Sequence, residues 1–179
     1  MNRAIFLDRD GTLTRDDHSG KYTYQIEDYG LIPTVVEALQ KLSKDYKLIV
    51  ITNQGSIAKG VVTLEQYYAF SNHMKRDLAK YGIKFDGIYF CQHHSDISEC
   101  ECRKPKPGMI FRAAKEHNID LKESWMIGNS LSDILAGQSA GCKSILVNSS
   151  KDNKEAQFSF VKPDHTTKDL LGAANIILK

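Results

Sequence analysis

Short apolar runs alternate with longer stretches of helical spacing along this chain. Residues 4–7 (Ala-Ile-Phe-Leu) carry no polar interruption and predict a strand buried on both faces. Val35, Val36, Leu39 and Leu42 follow Pro33 and Thr34 at helical spacing, which predicts a helix over 33–45. Residues 47–52 give a second strand. Thr63 and Gln66 form a capping box that opens a helix to about Tyr81, with Tyr67, Phe70, Met74, Leu78 and Tyr81 as its buried stripe and Gly82 as its stop. A third strand is expected over 86–90 and a helix over 109–117 with Ile110, Phe111 and Ala114 inward. A fourth strand over 124–128 precedes a helix ending at Ala140, and a fifth strand covers 143–147. The remainder predicts a loop over 149–162, a short helix over 169–174 and an edge strand over 176–178. This rhythm, with polar clusters at the carboxyl ends of the strands, predicts an α/β doubly wound parallel sheet.

At 179 residues one domain spanning 1–179 is expected, long enough to bury a core. A net charge of +2 gives no reason to expect nucleic-acid or membrane-surface partners. No apolar run reaches the length of a membrane span, and Asp8, Arg9 and Asp10 break any leader-like segment at once. A cytoplasmic monomer is the expectation. In that compartment the four cysteines read as metal ligands or buried thiols rather than disulfides.

The chemistry sits at strand ends. Asp8 and Asp10 follow the first strand at i, i+2 spacing, which would bring two like charges close, and Gly11 then turns the backbone away. Paired oxygen donors of this kind suit a hard divalent cation such as Mg²⁺ together with a substrate phosphate. Thr52, Asn53 and Gln54 close the second strand, where a hydroxyl and turn N–H groups can meet phosphoryl oxygens. The polar loop 14–32, with a small hairpin expected around Ser19-Gly20, lies where it can reach substrate through Asp17, His18, Lys21 and Tyr22. Cys91, His93, Cys100 and Cys102 pair C-x-H with C-x-C across a loop whose one apolar residue is Ile97. Three thiolates and an imidazole make a closed tetrahedral set for structural Zn²⁺, with His94 as an alternative to His93. Cys142 reads as buried packing.

The segment D-x-D-G-T at the end of a first apolar strand resembles the signature of the haloacid dehalogenase (HAD) superfamily of phosphatases. Residues 4–13, 52–60, 86–94, 100–109 and 126–134 together resemble one branch, the heptose 1,7-bisphosphate 7-phosphatases and histidinol-phosphatases. The resemblance implies a HAD-like Rossmannoid fold with a zinc loop at 91–102 in place of a large cap domain. It implies Asp8 as nucleophile and Asp10 as general acid and base, with Thr52, Asn53 and Lys104 on phosphate and Arg103 and the loop at 16–22 selecting the sugar. Gln54 falls in the same substrate-facing turn. Mg²⁺ would be held by Asp8 and the main-chain carbonyl of Asp10.

One departure stands out. The family expects aspartate where this chain has Asn129, so one negative charge is missing from the Mg²⁺ site, and Asp133 can supply it directly or through a water. Ser130 also stands where several relatives carry lysine. The implied function is a Mg²⁺-dependent phosphatase acting on the 7-phosphate of a heptose bisphosphate. The alternatives are a phosphatase for histidinol phosphate or another small metabolite, and a zinc-stapled binding protein in which Asn129 has cost turnover.

Overall fold

The computed structural model describes residues 1–16, 24–147 and 156–179. Six strands form one parallel sheet: β1 (Ala4–Leu7), β2 (Lys47–Asn53), β3 (Gly87–Cys91), β4 (Trp125–Gly128), β5 (Lys143–Val147) and β6 (His165–Thr167). Their order is β3-β2-β1-β4-β5-β6, so the chain winds outward twice from β1. Five helices cover the faces: α1 (Val35–Leu42), α2 (Leu64–Ala79), α3 (Gly108–His117), α4 (Leu131–Ala140) and α5 (Leu170–Ile177).

The alternation along β1 divides the core. Ile5 and Leu7 pack with α1, α2 and α5 residues such as Leu39, Met74 and Ala173. Ala4 and Phe6 face the opposite way, with Met109, Ile110 and Ala113 of α3 and Ala136 of α4. All four β1 residues are fully buried. Each large apolar side chain so buried stabilises the fold by about 1.5–3 kcal/mol. Strand β1 is therefore a rigid mount for Asp8 and the turn beyond it. The backbone N–H of Asp8 extends the sheet one step further by donating to the Ile127 carbonyl of β4 at 2.9 Å. The crevice where the winding reverses, between β1 and β4, lies at that point.

The capping box on α2 is present, with the Thr63 hydroxyl accepting from Gln66 N and the Gln66 side chain accepting from Thr63 N. Tyr67, Phe70, Met74 and Leu78 are buried as expected, but Tyr81 lies beyond the helix end and is half exposed. On α3 Met109, Ile110 and Ala113 are buried and Ala114 is partly buried against the same cluster, while Phe111 faces solvent. Residues 176–178 are not a strand. Helix α5 runs through Ile177, because Ala173 and Ala174 fit it against β5 and α1. The edge of the sheet is instead β6, whose polar His-Thr-Thr carries no apolar alternation to announce it. Among the described residues, no helix is long and apolar enough to cross a membrane.

Candidate active site

Asp8 sits at the end of β1, almost fully buried, with its carboxylate directed at Lys104. The Lys104 ammonium lies 2.7 Å from Asp8 Oδ1 and 2.5 Å from Asp133 Oδ1, and it donates to the Ile51 carbonyl at 2.8 Å. The ends of β1 and β2 and the first turn of α4 thus converge on one buried cation. Burial pushes the Asp8 carboxyl up to about 7; Lys104 opposes that rise, while Asp133 and Asp10 add to it. Burial also works against the charge on Lys104, but Asp133 and Asp8 outweigh it and hold the ammonium above the ordinary lysine value. Lys104 stays charged.

The backbone of Lys104 is fixed as firmly as its head group. Asn53 at the end of β2 donates its amide Nδ2 to the Lys104 carbonyl and accepts the Lys104 N–H on Oδ1, each at 3.0 Å. Asn53, expected on phosphate, therefore has both amide atoms committed to positioning the lysine. Gln54 differs in the same way. Its Nε2 donates to Asp10 Oδ2 at 2.8 Å and to Thr52 Oγ1 at 2.9 Å, so it links two expected catalytic side chains. Thr52 is fully buried beneath this pair.

The Asp8 and Asp10 side chains do not share one protein cation as neighbours on a strand would. β1 ends at Leu7, the chain bends, and Asp10 takes its own partner. The Arg9 guanidinium donates through Nε to Asp10 Oδ1 and through Nη2 to Oδ2, at 2.9 and 3.0 Å. Nothing in the spacing points to Arg9. The one available signal is an arginine flanked on both sides by acids inside an otherwise buried segment.

Asn129 arrives at this turn from β4. A Cβ on Gly11 would come within 2.1 Å of Asn129 Nδ2, and Gly11 holds φ +79°, so glycine is required twice over. Gly128 is needed for a similar reason, since a Cβ there would meet Asp133 Oδ2 at 2.2 Å. The Asp8 carboxylate, the Asp10 carbonyl and the Asn129 amide are all oxygen donors at adjoining strand ends, a set that fits a hard cation such as Mg²⁺. Asp133 does not join them in this geometry. One of its oxygens is on Lys104, and the other accepts the Ser130 N–H at 3.1 Å as part of the α4 cap.

Cys91, His93, Cys100 and Cys102 cluster as their spacing implied, their ligand atoms all within 4.8 Å of one another. The sulfurs are 3.1 to 3.6 Å apart, too far for a disulfide bond of about 2.05 Å. They lie near the edge of a tetrahedron around Zn²⁺, about 3.8 Å for Zn–S bonds of about 2.3 Å. His93 Nδ1 is 3.3 Å from Cys102 Sγ and 3.6 Å from Cys91 Sγ. His94 is not in the set: its ring lies outside the cluster, with Nδ1 accepting the Asp96 N–H. Arg103, next after Cys102, donates to the His93 carbonyl at 2.9 Å, so the cluster orients it. Arg103, Lys104, Asn53 and Ser132 line a cavity of about 520 Å³ between the cysteine loop and the start of α4. Asp17, His18 and Tyr22 lie outside the described residues, as does the hairpin expected at Ser19-Gly20.

A family model described as HAD-hydrolase-like matches residues 101–173. A D-glycero-beta-D-manno-heptose-1,7-bisphosphate 7-phosphatase from Pasteurella multocida is 43% identical over 158 residues, 84% of this chain and 84% of that protein. A D-glycero-alpha-D-manno-heptose-1,7-bisphosphate 7-phosphatase from Campylobacter jejuni is 40% identical over 158 residues, covering 87% of each. Among solved structures, a D,D-heptose 1,7-bisphosphate phosphatase from B. bronchiseptica, complexed with magnesium and phosphate, superposes with a TM-score of 0.88. It is 30% identical and covers 98% of both chains.

Proposed function

This chain belongs to the HAD-like phosphatases, in the branch of the heptose-1,7-bisphosphate 7-phosphatases, and we propose that it removes the 7-phosphate of D-glycero-D-manno-heptose 1,7-bisphosphate through an aspartyl phosphate on Asp8. As a member it is a phosphoric monoester hydrolase. The observation that carries the reading is the Lys104 ammonium held 2.7 Å from Asp8 at the mouth of β1.

In the proposed first step a carboxylate oxygen of Asp8 attacks phosphorus and the bond from phosphorus to the sugar oxygen breaks. Asp10 gives its proton to that leaving oxygen. In the second step water attacks the aspartyl phosphate, Asp10 takes the proton, and the bond between phosphorus and Asp8 breaks. Lys104 offsets the charge that spreads over the phosphoryl oxygens, and the Thr52 hydroxyl hydrogen-bonds one of them. Mg²⁺, held by Asp8, the Asp10 carbonyl and Asn129, would neutralise phosphoryl charge and favour the ionised nucleophile. Zn²⁺ in the cysteine set would be structural, fixing the loop that seats Arg103 beside the sugar. Asp17, His18 and Tyr22 complete the proposed sugar contacts.

The set of groups needed is contained in one chain, which supports a monomer acting as a single domain over 1–179. Cysteines gathered as a metal-ligand set, as Cys91, Cys100 and Cys102 are, support a cytoplasmic setting. The test is kcat/KM with Mg²⁺ on both anomers of the heptose bisphosphate, on histidinol phosphate and on fructose 1,6-bisphosphate. The heptose substrate should lead by at least about 100-fold, a transition-state preference of about 2.7 kcal/mol. A hundredfold preference for histidinol phosphate would move the assignment to the sister activity.

A further inference from the structure

Arg9 is 2% exposed, yet it carries a charge in the middle of the site. Its guanidinium grips both oxygens of Asp10 in a fork, at 2.9 and 3.0 Å. Behind the fork lie two aromatic rings of α2: the guanidinium carbon is 4.8 Å from the Phe70 centroid and 5.7 Å from that of Tyr67. The Arg9 carbonyl accepts from the N–H groups of Leu13 and Thr14, closing the turn that presents Asp10. The third nitrogen, Nη1, is buried with no hydrogen-bond partner among the described residues. An apolar side chain of similar shape would fill this space without an orphaned donor, so packing alone gives no reason for arginine here.

From this arrangement we propose that Arg9 is the positioning residue for Asp10. The inference rests on the reading of Asp10 as general acid and base. Arg9 and Gln54 hold the Asp10 carboxylate from behind, while its side chain keeps 28% of its surface open in front. Oδ2 accepts from both Arg9 Nη2 and Gln54 Nε2, so its lone pairs are taken. Oδ1 accepts Arg9 Nε, and its other neighbour, the Thr14 hydroxyl, is distant at 3.4 Å. Oδ1 is therefore the oxygen with more capacity left for the transferable proton. The fork fixes the plane of the carboxylate and with it the direction in which that proton leaves. A lysine keeps the charge but cannot make the fork.

The test compares Arg9→Lys, Arg9→Met and Asp10→Asn in single-turnover release of the alcohol. One substrate is the heptose bisphosphate, whose poor leaving group needs a proton; the other is 4-nitrophenyl phosphate, whose good leaving group does not. Both Arg9 variants should lose roughly 100-fold on the sugar phosphate, the scale of general acid catalysis, and less than about fivefold on the aryl ester. KM should hold within about threefold. The melting temperature of Arg9→Lys should stay within a few degrees of the parent, so that variant decides if Arg9→Met does not fold. Equal losses on both substrates, or no loss, would overturn the inference. Asp10→Asn separates the two levels: if it shows no leaving-group dependence, the acid–base reading itself fails. If it shows that dependence and Arg9→Lys does not, the positioning role alone fails.

Discussion

Lys104 and Asp8, 96 residues apart in sequence, meet in a buried ion pair of 2.7 Å at the end of the central strand. A carboxylate and an ammonium removed from water together need near-ideal geometry, and here Asp133, Asn53 and the Ile51 carbonyl supply the remaining contacts. The pair organises the site before any substrate arrives. Burial nonetheless leaves Asp8 expensive to ionise in the metal-free protein, although Lys104 opposes the effect.

That expense has a measurable sign. The folded pKa of Asp8 is raised to about 7, above an unfolded value of about 3.9. A carboxyl shifted upward contributes stability that is complete below the unfolded pKa and is lost as pH rises through the folded one. Metal-free Asp8→Asn should therefore melt a few degrees above the parent at pH 8 and match it near pH 4. Added Mg²⁺ should shrink the difference at pH 8. Thermal melts across that range check it, and an Asn variant less stable than the parent at pH 8 would contradict it.

Asn129→Asp restores the charge missing from the proposed Mg²⁺ donors. The Mg²⁺ concentration for half-maximal activity should fall by about tenfold or more, equivalent to about 1.4 kcal/mol of binding. Activity titrated against Mg²⁺ reads this directly. A large gain in turnover at saturating Mg²⁺ would show instead that the parent site is crippled, as the binding-protein alternative requires.

Gly11→Ala places a methyl group where Asn129 stands and forces alanine to φ +79°. The backbone cost alone is about 1 kcal/mol, and displacement of Asn129 adds to it. We expect a lower melting temperature and a loss of activity that extra Mg²⁺ recovers only in part. Full activity would mean that Asn129 has no role beside the turn.

Cys100→Ala or Cys102→Ala should release zinc, with elemental analysis falling from about one zinc per chain toward none. Arg103 leans on the His93 carbonyl, so the sugar KM should rise more than kcat falls. Cys142, by contrast, is buried with its thiol pushed up to about 12, and it should resist alkylation while the loop cysteines react after chelation. Protein purified without chelator that holds no zinc would end the structural-zinc reading.

The legible and the hidden parts of this fold divide along physical lines. The 4–7 run, the acids after it and the paired C-x-H and C-x-C are legible because each is local: apolar continuity makes a buried strand, and ligand spacing survives folding. Asn53, Gln54 and Asp133 stand out in the sequence as site residues, but their partners do not. Their contacts span 51, 44 and 29 positions, and only the way the strand ends, the loop before α3 and the start of α4 come together decides them. Arg9 is hidden because an arginine between two acids looks like simple charge balance until Phe70 and Tyr67 are seen behind it. Phe111 misleads through hydrophobicity alone, since the exposed side of α3 tolerates it. Strand β6 escapes notice because an edge strand of His-Thr-Thr buries almost nothing.

The most direct test of the central claim is rapid acid quench of the Mg²⁺-loaded enzyme with heptose bisphosphate labelled at the 7-phosphate, followed by peptide mapping. The phosphoryl group should appear transiently on the peptide containing Asp8, as an acyl phosphate cleaved by hydroxylamine, and should be absent from Asp8→Asn. Turnover with no labelled protein, or label on any other residue, would contradict the account.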